Sequence, residues 1–352
     1  MKPILISSRK TKVYLFIIHK VVKGFTLSEF QKRREKFSDL MMKNSIAIIP
    51  SNMTTIMTHD IPYTFRQNSN FYYLTGFMEP TSILVIQKME NKVSYILFVR
   101  PKDFNRELWD GARCGVEKAN QIFGVEDTRS IDLFETEFKF PNALNNLYYD
   151  NTASSEINSK VSRLIEKNQI SFQEFINNNT IFDVIKSRKS DSEIQILKET
   201  ADISAEAFKI AIKKTKPGMT EAQIEAILEF ESRMRGAQRL AYPPVVASGN
   251  NANTMHYVQN TQILKDGDLL LVDAGAEYYQ YPSDITRTWP VNGKFSEAQK
   301  DIYEAVLNIQ KKCIEKCEPG ITYNELNQIF KQISYQELIN LKVCDKSNVE
   351  KV

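Results

Sequence analysis

The sequence predicts an α/β protein with two domains, and three observations support this. The chain has 352 residues, which is more than one domain of usual size needs. Up to about residue 150, short apolar segments typical of strands alternate with segments typical of helices. A polar span then separates this region from a second one, which opens with a long amphipathic helix.

The elements of the first region can be predicted in order. Residues 28–43 predict a helix in which Ser28 caps the N-terminus and Gln31 completes a capping box. The apolar run 45–50 predicts a buried strand that ends at its proline. The other predicted elements are strands over 82–87, 93–99 and 147–149 and a helix over 117–123.

The domain bounds follow from composition. The first domain is predicted over residues 26–150. Residues 151–185 are predicted to form a linker and connecting helix with little core, because asparagine, serine and threonine cluster there. The second domain, 186–352, begins at Ser190 and Glu193, which predict a capping box at the start of a long helix.

An internal repeat lies in the second region. Residues 217–224 recur in pattern as residues 319–326. Each copy has a Pro-Gly turn, an apolar residue, a threonine cap, and a glutamine or glutamate three residues after the threonine. Helix caps are generic, so chance similarity is one explanation. The matching order of features favours a duplicated unit, and the segment between the copies is then the natural place for a site.

Composition and charge exclude several classes of function. An apolar content of 42% and a charged content of 25% are ordinary for a globular protein. The net charge is +3, and no basic block with interleaved aromatic residues indicates a nucleic-acid partner. The four cysteines lack a histidine cluster or second pair, so they are predicted to be free thiols and not zinc ligands. No apolar run is long enough for a membrane span.

The segment 1–25 predicts a targeting leader. Between Met1 and Thr26 the chain has six lysines and arginines, no acid, interspersed hydroxyl residues and a short apolar run. This pattern is typical of a mitochondrial presequence. A secretory signal and a disordered basic tail are the alternatives. The predicted location is therefore the mitochondrion, with the cytoplasm as the alternative.

Asp273 and Asp284 form the first candidate site. Asp273 follows an apolar run, and Asp284 leads into a run rich in β-forming residues. If these segments pair as antiparallel strands that turn near Tyr278 and Tyr279, the aspartates lie directly opposite and point to one face. Two carboxylates aimed at one point repel each other unless a proton or a cation lies between them. The pair therefore predicts a metal site, and the simpler alternative is two turn residues.

His256 is the candidate catalytic residue near this pair. The chain has three histidines, and His256 stands seventeen residues before Asp273, beside a polar loop. A lone histidine is more often structural. Beside a metal site it could donate a hydrogen bond to a substrate carbonyl or to developing negative charge.

Several motifs, taken in order, resemble those of aminopeptidase P (Xaa-Pro aminopeptidase) of peptidase family M24. In the second region they are Tyr-Pro-Pro-Val-Val at 242–246, Asn-Thr-Met-His-Tyr at 253–257, Val-Asp-Ala-Gly at 272–275, and the run 283–293. In the first region they are residues 60–77 and 106–111. The resemblance runs from about residue 25 to the end, and it is strongest to the mitochondrial type of the family.

The resemblance implies a creatinase-like N-terminal α/β domain followed by a pita-bread catalytic domain with two similar halves. It implies two divalent metal ions, usually Mn²⁺, that share a hydroxide for attack on the bond before proline. Asp273 and Asp284 match metal ligands, His256 matches a catalytic residue that contacts substrate, and Tyr242 matches a substrate-binding position. Peptide or protein N-termini are the implied substrates. The complete enzyme is expected to be a homodimer, with neither nucleic acid nor membrane as a partner.

The resemblance also indicates what this chain lacks. The family uses one further histidine and two glutamates as ligands, and a second catalytic histidine. No histidine follows His256, and no glutamate can be assigned. The pita-bread domain is therefore expected to be truncated at Val352, with unpaired strand edges and exposed apolar surface. Two aspartates cannot fix two divalent ions, so the chain alone is expected to bind manganese weakly and to be inactive.

Two classes of function remain open. The first is a metalloaminopeptidase that removes an N-terminal residue preceding proline, or trims presequence remnants. The second is a non-catalytic relative that uses the pita-bread-like shape to bind peptides or proteins. The presence of Asp273, Asp284 and His256 favours the first, and the missing ligands favour the second.

Overall fold

The computed structural model describes residues 25–125, 127–141, 144–150 and 154–344. The chain forms two compact units. Of the described residues, the first unit contains those up to Thr200 together with residues 277–282, and the second contains residues 201–276 and those from Ser283 onward. The predicted leader lies outside the described residues except for Phe25, and the domain bounds predicted from the sequence stay a prediction.

A six-stranded mixed sheet forms the centre of the first unit, in the order β6-β5-β4-β1-β7-β8. Its strands are β1 (Ser45–Pro50), β4 (Ile83–Lys88), β5 (Val93–Val99), β6 (Asp127–Ser130), β7 (Asn146–Tyr149) and β8 (Glu174–Ile176). A separate small hairpin joins β2 (Ile56–Thr58) to β3 (Ile61–Pro62). Strand β1 is buried throughout. Its apolar residues serve two cores, because Ile46 and Ile48 pack into one cluster, whereas Ala47 and Ile49 pack into another.

Seven helices accompany this sheet among the described residues of the first unit. They are α1 (Leu27–Leu40), α2 (Ser69–Thr75), α3 (Phe104–Asp110), α4 (Gly115–Phe123), α5 (Leu133–Thr136), α6 (Ser155–Asn168) and α7 (Asn179–Ser187). The predicted capping box of α1 is wrong. Helix α1 begins at Leu27, so Thr26 is the N-cap and makes no side-chain cap bond, while Gln31 donates to Glu35 instead.

The polar span after residue 150 contributes more core than its composition predicts. Helix α6 buries Ile157, Val161 and Leu164, which recur at helical spacing and pack in one of the two core clusters of the sheet. Strand β8 then pairs in parallel with β7. The expectation of little core in this span is therefore wrong, because a narrow apolar stripe is enough to bury one face of a helix.

Helices and a three-stranded antiparallel sheet make up the second unit. The helices are α8 (Asp191–Lys214, which begins before the unit), α9 (Glu221–Met234), α10 (Glu297–Glu315) and α11 (Tyr323–Asn340). The sheet has the order β10-β11-β14, with β10 (Val245–Ser248), β11 (Leu269–Ala274) and β14 (Ile285–Pro290). A short strand β9 (Arg239–Leu240) precedes them. Strands β12 (Ala276–Tyr278) and β13 (Tyr281–Pro282) lie between β11 and β14 in the sequence, and residues 277–282 belong to the first unit.

The predicted helix starts of this region are confirmed. Ser190 and Glu193 exchange the two hydrogen bonds of a capping box. Thr220 with Gln223, and Thr322 with Glu325, form the same motif at the start of α9 and α11. The two copies of the repeat therefore share their local structure as well as their sequence pattern.

Helices α10 and α11 pack against each other but bury little. Ala305 is the one buried residue recorded on these two helices, whereas Ile302, Val306, Ile314 and Tyr323 are all more than half exposed. Strand β14 pairs with β11 and lies at one edge of the described sheet. Exposed apolar surface and an open strand edge were both expected from the sequence. Within the described residues, no helix is long and apolar enough to cross a membrane.

Candidate metal centre

The strand register places the two aspartates diagonally and not directly opposite each other. Asp273 pairs with Thr286, and Ala274 pairs with Ile285. The hairpin turns at Tyr279 and Gln280, whose φ angles of 48° and 67° are both left-handed, as a tight two-residue hairpin turn requires. The predicted turn near Tyr278 and Tyr279 is one residue too early, so the expectation of directly opposed aspartates is wrong.

Both aspartates nevertheless point to the same face of the hairpin that contains β11 and β14. Moving a hairpin turn by one residue shifts each pairing by two residues, so Asp273 pairs with Thr286 and not with Asp284. Because side chains alternate with a period of two, that change preserves the face on which each side chain lies. Asp284 is therefore the diagonal neighbour of Asp273 on one face, a geometry in which side chains still reach a common point.

The hydroxyl of Tyr242 lies within hydrogen-bond distance of both aspartates. It donates to Oδ1 of Asp273 at 2.5 Å and lies 3.2 Å from Oδ1 of Asp284. Tyr242 stands just before β10, which pairs with β11 so that Val245 faces Asp273. Burial raises the pKa of Tyr242, and its hydrogen bond to Asp273 raises it further, so the phenol stays protonated. The three side chains thus form one cluster, with Asp273 half-buried and Asp284 exposed.

Gly275 allows the close chain approach that places Asp284. A Cβ at residue 275 would lie 1.7 Å from the carbonyl oxygen of Ser283 and 3.2 Å from the amide nitrogen of Asp284. The hydroxyl of Ser283 lies 2.6 Å from that of Ser204, which also accepts the amide of Ala276 at 2.9 Å. Ser204 of α8 therefore holds the backbone before Asp284 close to Gly275. The approach is possible because Gly275 has no side chain.

His256 is not among the hydrogen-bonded side chains of this cluster in the described part of the chain. It is exposed and follows the short 3₁₀ turn Gly249–Asn253. No three His, Cys, Asp or Glu side chains come together as possible metal ligands anywhere in the described part of the chain. The structure therefore brings Tyr242, Asp273 and Asp284 together, and the roles predicted for them and for His256 stay predictions.

Glu221 is a residue at this end of the sheet that the sequence did not single out. It is the first residue of α9 and has no exposed surface. Burial favours a raised pKa, but hydrogen bonds from Ser248, Asn251, Gln262 and Tyr257 outweigh burial and hold the pKa of Glu221 below its usual value. An acid in the first turn of a helix is common, so no signal in the sequence distinguished this one.

The donor chemistry of the cluster fits a hard divalent cation. Both aspartates offer carboxylate oxygens, which suit manganese, magnesium or calcium better than they suit softer metals. The Tyr242 hydroxyl lies where a shared proton or cation would relieve their repulsion. Among the residues that the structure describes, no third His, Cys, Asp or Glu side chain joins these two carboxylates.

Two family models match the chain. Metallopeptidase family M24 matches residues 195–344, and the aminopeptidase P N-terminal domain matches residues 30–148. Xaa-Pro aminopeptidase 3 of Dictyostelium discoideum is 37% identical over 96% of this chain and 68% of its own length. The human protein of that name is 38% identical over 92% of this chain and 67% of its own length. The mitochondrial intermediate cleaving peptidase 55 of Arabidopsis thaliana is 34% identical over 87% of this chain and 62% of its own length.

Solved structures agree with these sequence relatives. A zinc-substituted aminopeptidase P from Escherichia coli, in complex with product, superimposes with a TM-score of 0.88 at 31% identity. Aminopeptidase PepP of Pseudomonas aeruginosa gives 0.87 at 33% identity. Both matches cover 93% of this chain and 76% of the other.

The fold is therefore that of an M24 metallopeptidase, with a pita-bread region preceded by an N-terminal α/β domain, as the sequence predicted. The chain belongs to the aminopeptidase P family, whose members are metal-dependent Xaa-Pro aminopeptidases.

Proposed function

We propose that Asp273 and Asp284 are metal ligands of an Xaa-Pro aminopeptidase site, and that Tyr242 and His256 contact its substrate. The observation that carries this proposal is the convergence of both carboxylates on the Tyr242 hydroxyl, at 2.5 and 3.2 Å. The substrate would be a peptide or protein N-terminus with proline in the second position.

Each of these four residues would have a separate role in peptide hydrolysis. Asp273 and Asp284 would hold divalent cations, which, when bound, polarise a carbonyl and make water a better nucleophile. Tyr242, protonated because of its raised pKa, would donate a hydrogen bond to a substrate oxygen once a cation takes the carboxylates. The exposed His256 would donate to the scissile carbonyl and stabilise the negative charge that develops there. Oxygen ligands favour Mn²⁺, and the proposed number of ions is two.

We infer that this polypeptide alone binds Mn²⁺ weakly and does not cleave peptides. Its described residues bring two carboxylates together without a third protein ligand, and divalent affinity depends on ligand number and charge. The same observation supports a second candidate function, in which the fold binds peptides without cleaving them.

Metal titration and a peptidase assay test these proposals together. Mn²⁺ should bind the 352-residue chain with a dissociation constant of roughly 10⁻⁴ M or weaker, and Asp273→Asn or Asp284→Asn should abolish that binding. The exposed Asp301 gives the matched control, because Asp301→Asn should bind as the unaltered chain does. Retained binding in Asp273→Asn would refute the ligand assignment. Cleavage of an Xaa-Pro peptide by the unaltered chain with added Mn²⁺ would refute the inferred inactivity.

We also propose that the chain is mitochondrial and that the complete enzyme is a homodimer. The basic, acid-free segment 1–25 and the Arabidopsis thaliana relative named as mitochondrial support the location. A fluorescent reporter fused to residues 1–30 should enter mitochondria, and a reporter that stays in the cytoplasm would refute the proposal. Light scattering of the complete enzyme, with a monomer as the contradicting result, tests the dimer.

A further inference from the structure

A buried carboxylate in the second unit, that of Glu221, accepts five hydrogen bonds. Oε1 of Glu221 accepts from the amide of Ser248 at 2.8 Å, from the Ser248 hydroxyl at 2.9 Å and from Nδ2 of Asn251 at 3.0 Å. Oε2 accepts from the Tyr257 hydroxyl at 2.8 Å and from the amide of Gln262 at 2.9 Å. Five donors therefore satisfy one carboxylate that water does not reach.

All five donors lie between Ser248 and Gln262 in the sequence. We call residues 249–262 the His256 loop. Ser248 ends β10 and leads into this loop, Asn251 lies in its first turn, and Gln262 ends it. Tyr257 is the residue directly after His256. The Glu221 carboxylate thus binds the start of the loop at Ser248, its end at Gln262, and Tyr257 beside the exposed His256.

A second tie holds the exit of the loop to the same helix. Asn260 is buried and has a left-handed φ of 50°. Its Nδ2 donates to Oε2 of Glu225 and to the carbonyl of Pro244, both at 2.9 Å, and its Oδ1 accepts the amide of Val246 at 3.0 Å. Helix α9 therefore fixes the path of the loop at two levels, one helical turn apart.

Helix capping does not account for Glu221. Thr220 and Gln223 already satisfy the start of α9 with a complete capping box. An acid needed only for the helix dipole could remain in water, whereas burying a charge is costly unless it is fully hydrogen-bonded. The arrangement is better explained by its effect on the loop.

We propose that Glu221 is a positioning residue that fixes the loop presenting His256 to substrate. This inference rests on the substrate contact proposed for His256. Because His256 itself is exposed, its place depends on the backbone on either side of it, and Tyr257 connects that backbone to the buried carboxylate. A catalytic group on a loop needs such supporting contacts to hold its geometry.

The substitution Glu221→Gln tests the proposal. The NH₂ group of glutamine cannot accept hydrogen bonds, so it would face donors that the carboxylate oxygen now satisfies. The amides of Ser248 and Gln262 should exchange with deuterium roughly tenfold faster or more, as the loss of charged hydrogen bonds implies. With three histidines in the chain, ¹³C-labelled histidine should give a resolved His256 ring signal. That signal should shift and broaden, while the signal of His59 in the first unit should not change.

The matched control is Glu229→Gln on the same helix, where the half-exposed Glu229 pairs with Arg233. It should leave loop exchange and the His256 signal unchanged. If Glu221→Gln does not fold, Tyr257→Phe removes one donor and tests the same contact. The proposal is overturned if the folded variant leaves the His256 signal and loop exchange unaltered, or if Glu229→Gln changes them equally. These readouts need neither bound metal nor cleavage. Retained Mn²⁺ binding in Asp273→Asn would therefore count against the proposed function without deciding the role of Glu221.

Discussion

Replacing Gly275 by alanine should disrupt the crossing that positions the aspartates. The added Cβ would lie 1.7 Å from the Ser283 carbonyl oxygen, whereas ordinary contacts of a Cβ lie at 3.4–4 Å. The obstacle is backbone, so the two chain segments must separate. That separation also breaks the hydrogen bond from the amide of Ser283 to the carbonyl of Ala276, now 2.9 Å long. Overpacking of a tight site costs about 1–3 kcal/mol and a lost hydrogen bond about 1 kcal/mol, so we expect a loss of about 3 kcal/mol.

Urea unfolding followed by tryptophan fluorescence measures this loss. Of the two tryptophans, Trp289 is 6% exposed in the core of the second unit, whereas Trp109 is 87% exposed and should change little on unfolding. Gly293→Ala is the matched control. Gly293 has a φ of 77° with no atom near its missing Cβ, so alanine there meets backbone strain alone, of about 1–2 kcal/mol. A Gly275→Ala protein as stable as the unaltered chain, or more stable than Gly293→Ala, would refute the steric argument.

Two further predictions concern titratable groups in the first unit, the half-buried Lys186 and the buried Cys114. Burial lowers the pKa of Lys186 to about 8 from 10.5, despite attraction from Glu193. Between pH 8 and pH 10.5 the unfolded chain binds more protons than the folded chain, so the folded state gains stability as pH rises. The melting temperature of the unaltered chain should therefore rise with pH relative to that of Lys186→Met. Parallel plots of melting temperature against pH for the two proteins would contradict this. Burial also raises the pKa of the Cys114 thiol to about 12, so at pH 8 Ellman's reagent should modify the exposed Cys317 and leave Cys114 intact until unfolding. Rapid labelling of Cys114 in the folded chain would contradict that assignment.

Local chemistry explains which elements the sequence could predict. The strands β1 and β5 match the predicted runs because both are apolar over several residues, which is typical of buried strands. The capping boxes of the second unit were also predicted, because their hydrogen bonds join residues three positions apart. The hairpin turn could not be placed, because its left-handed positions are Tyr279 and Gln280 and not the glycine or asparagine that usually marks such a turn.

The residues of the candidate site were predictable to different degrees. Their spacing and flanking segments singled out Asp273 and Asp284 as a candidate pair, and motif resemblance added Tyr242. Alternation along the strands kept both aspartates on one face despite the error in register. The contact of Tyr242 with both carboxylates depends on the pairing of β10 with β11, which no local pattern specifies. Glu221 escaped prediction because its partners lie 27 to 41 residues away in the sequence.

The path of the chain has a consequence for any attempt to divide the protein. Residues 277–282 belong to the first unit, although the chain on both sides of them belongs to the second. Within the first unit, Glu277 is buried and binds Arg66 at 2.7 Å, and the Tyr281 hydroxyl donates to Glu193 at 2.8 Å. The backbone therefore passes between the units three times. No single proteolytic cut can separate them, and a fragment that begins at residue 201 would carry Glu277 without the arginine that neutralises it.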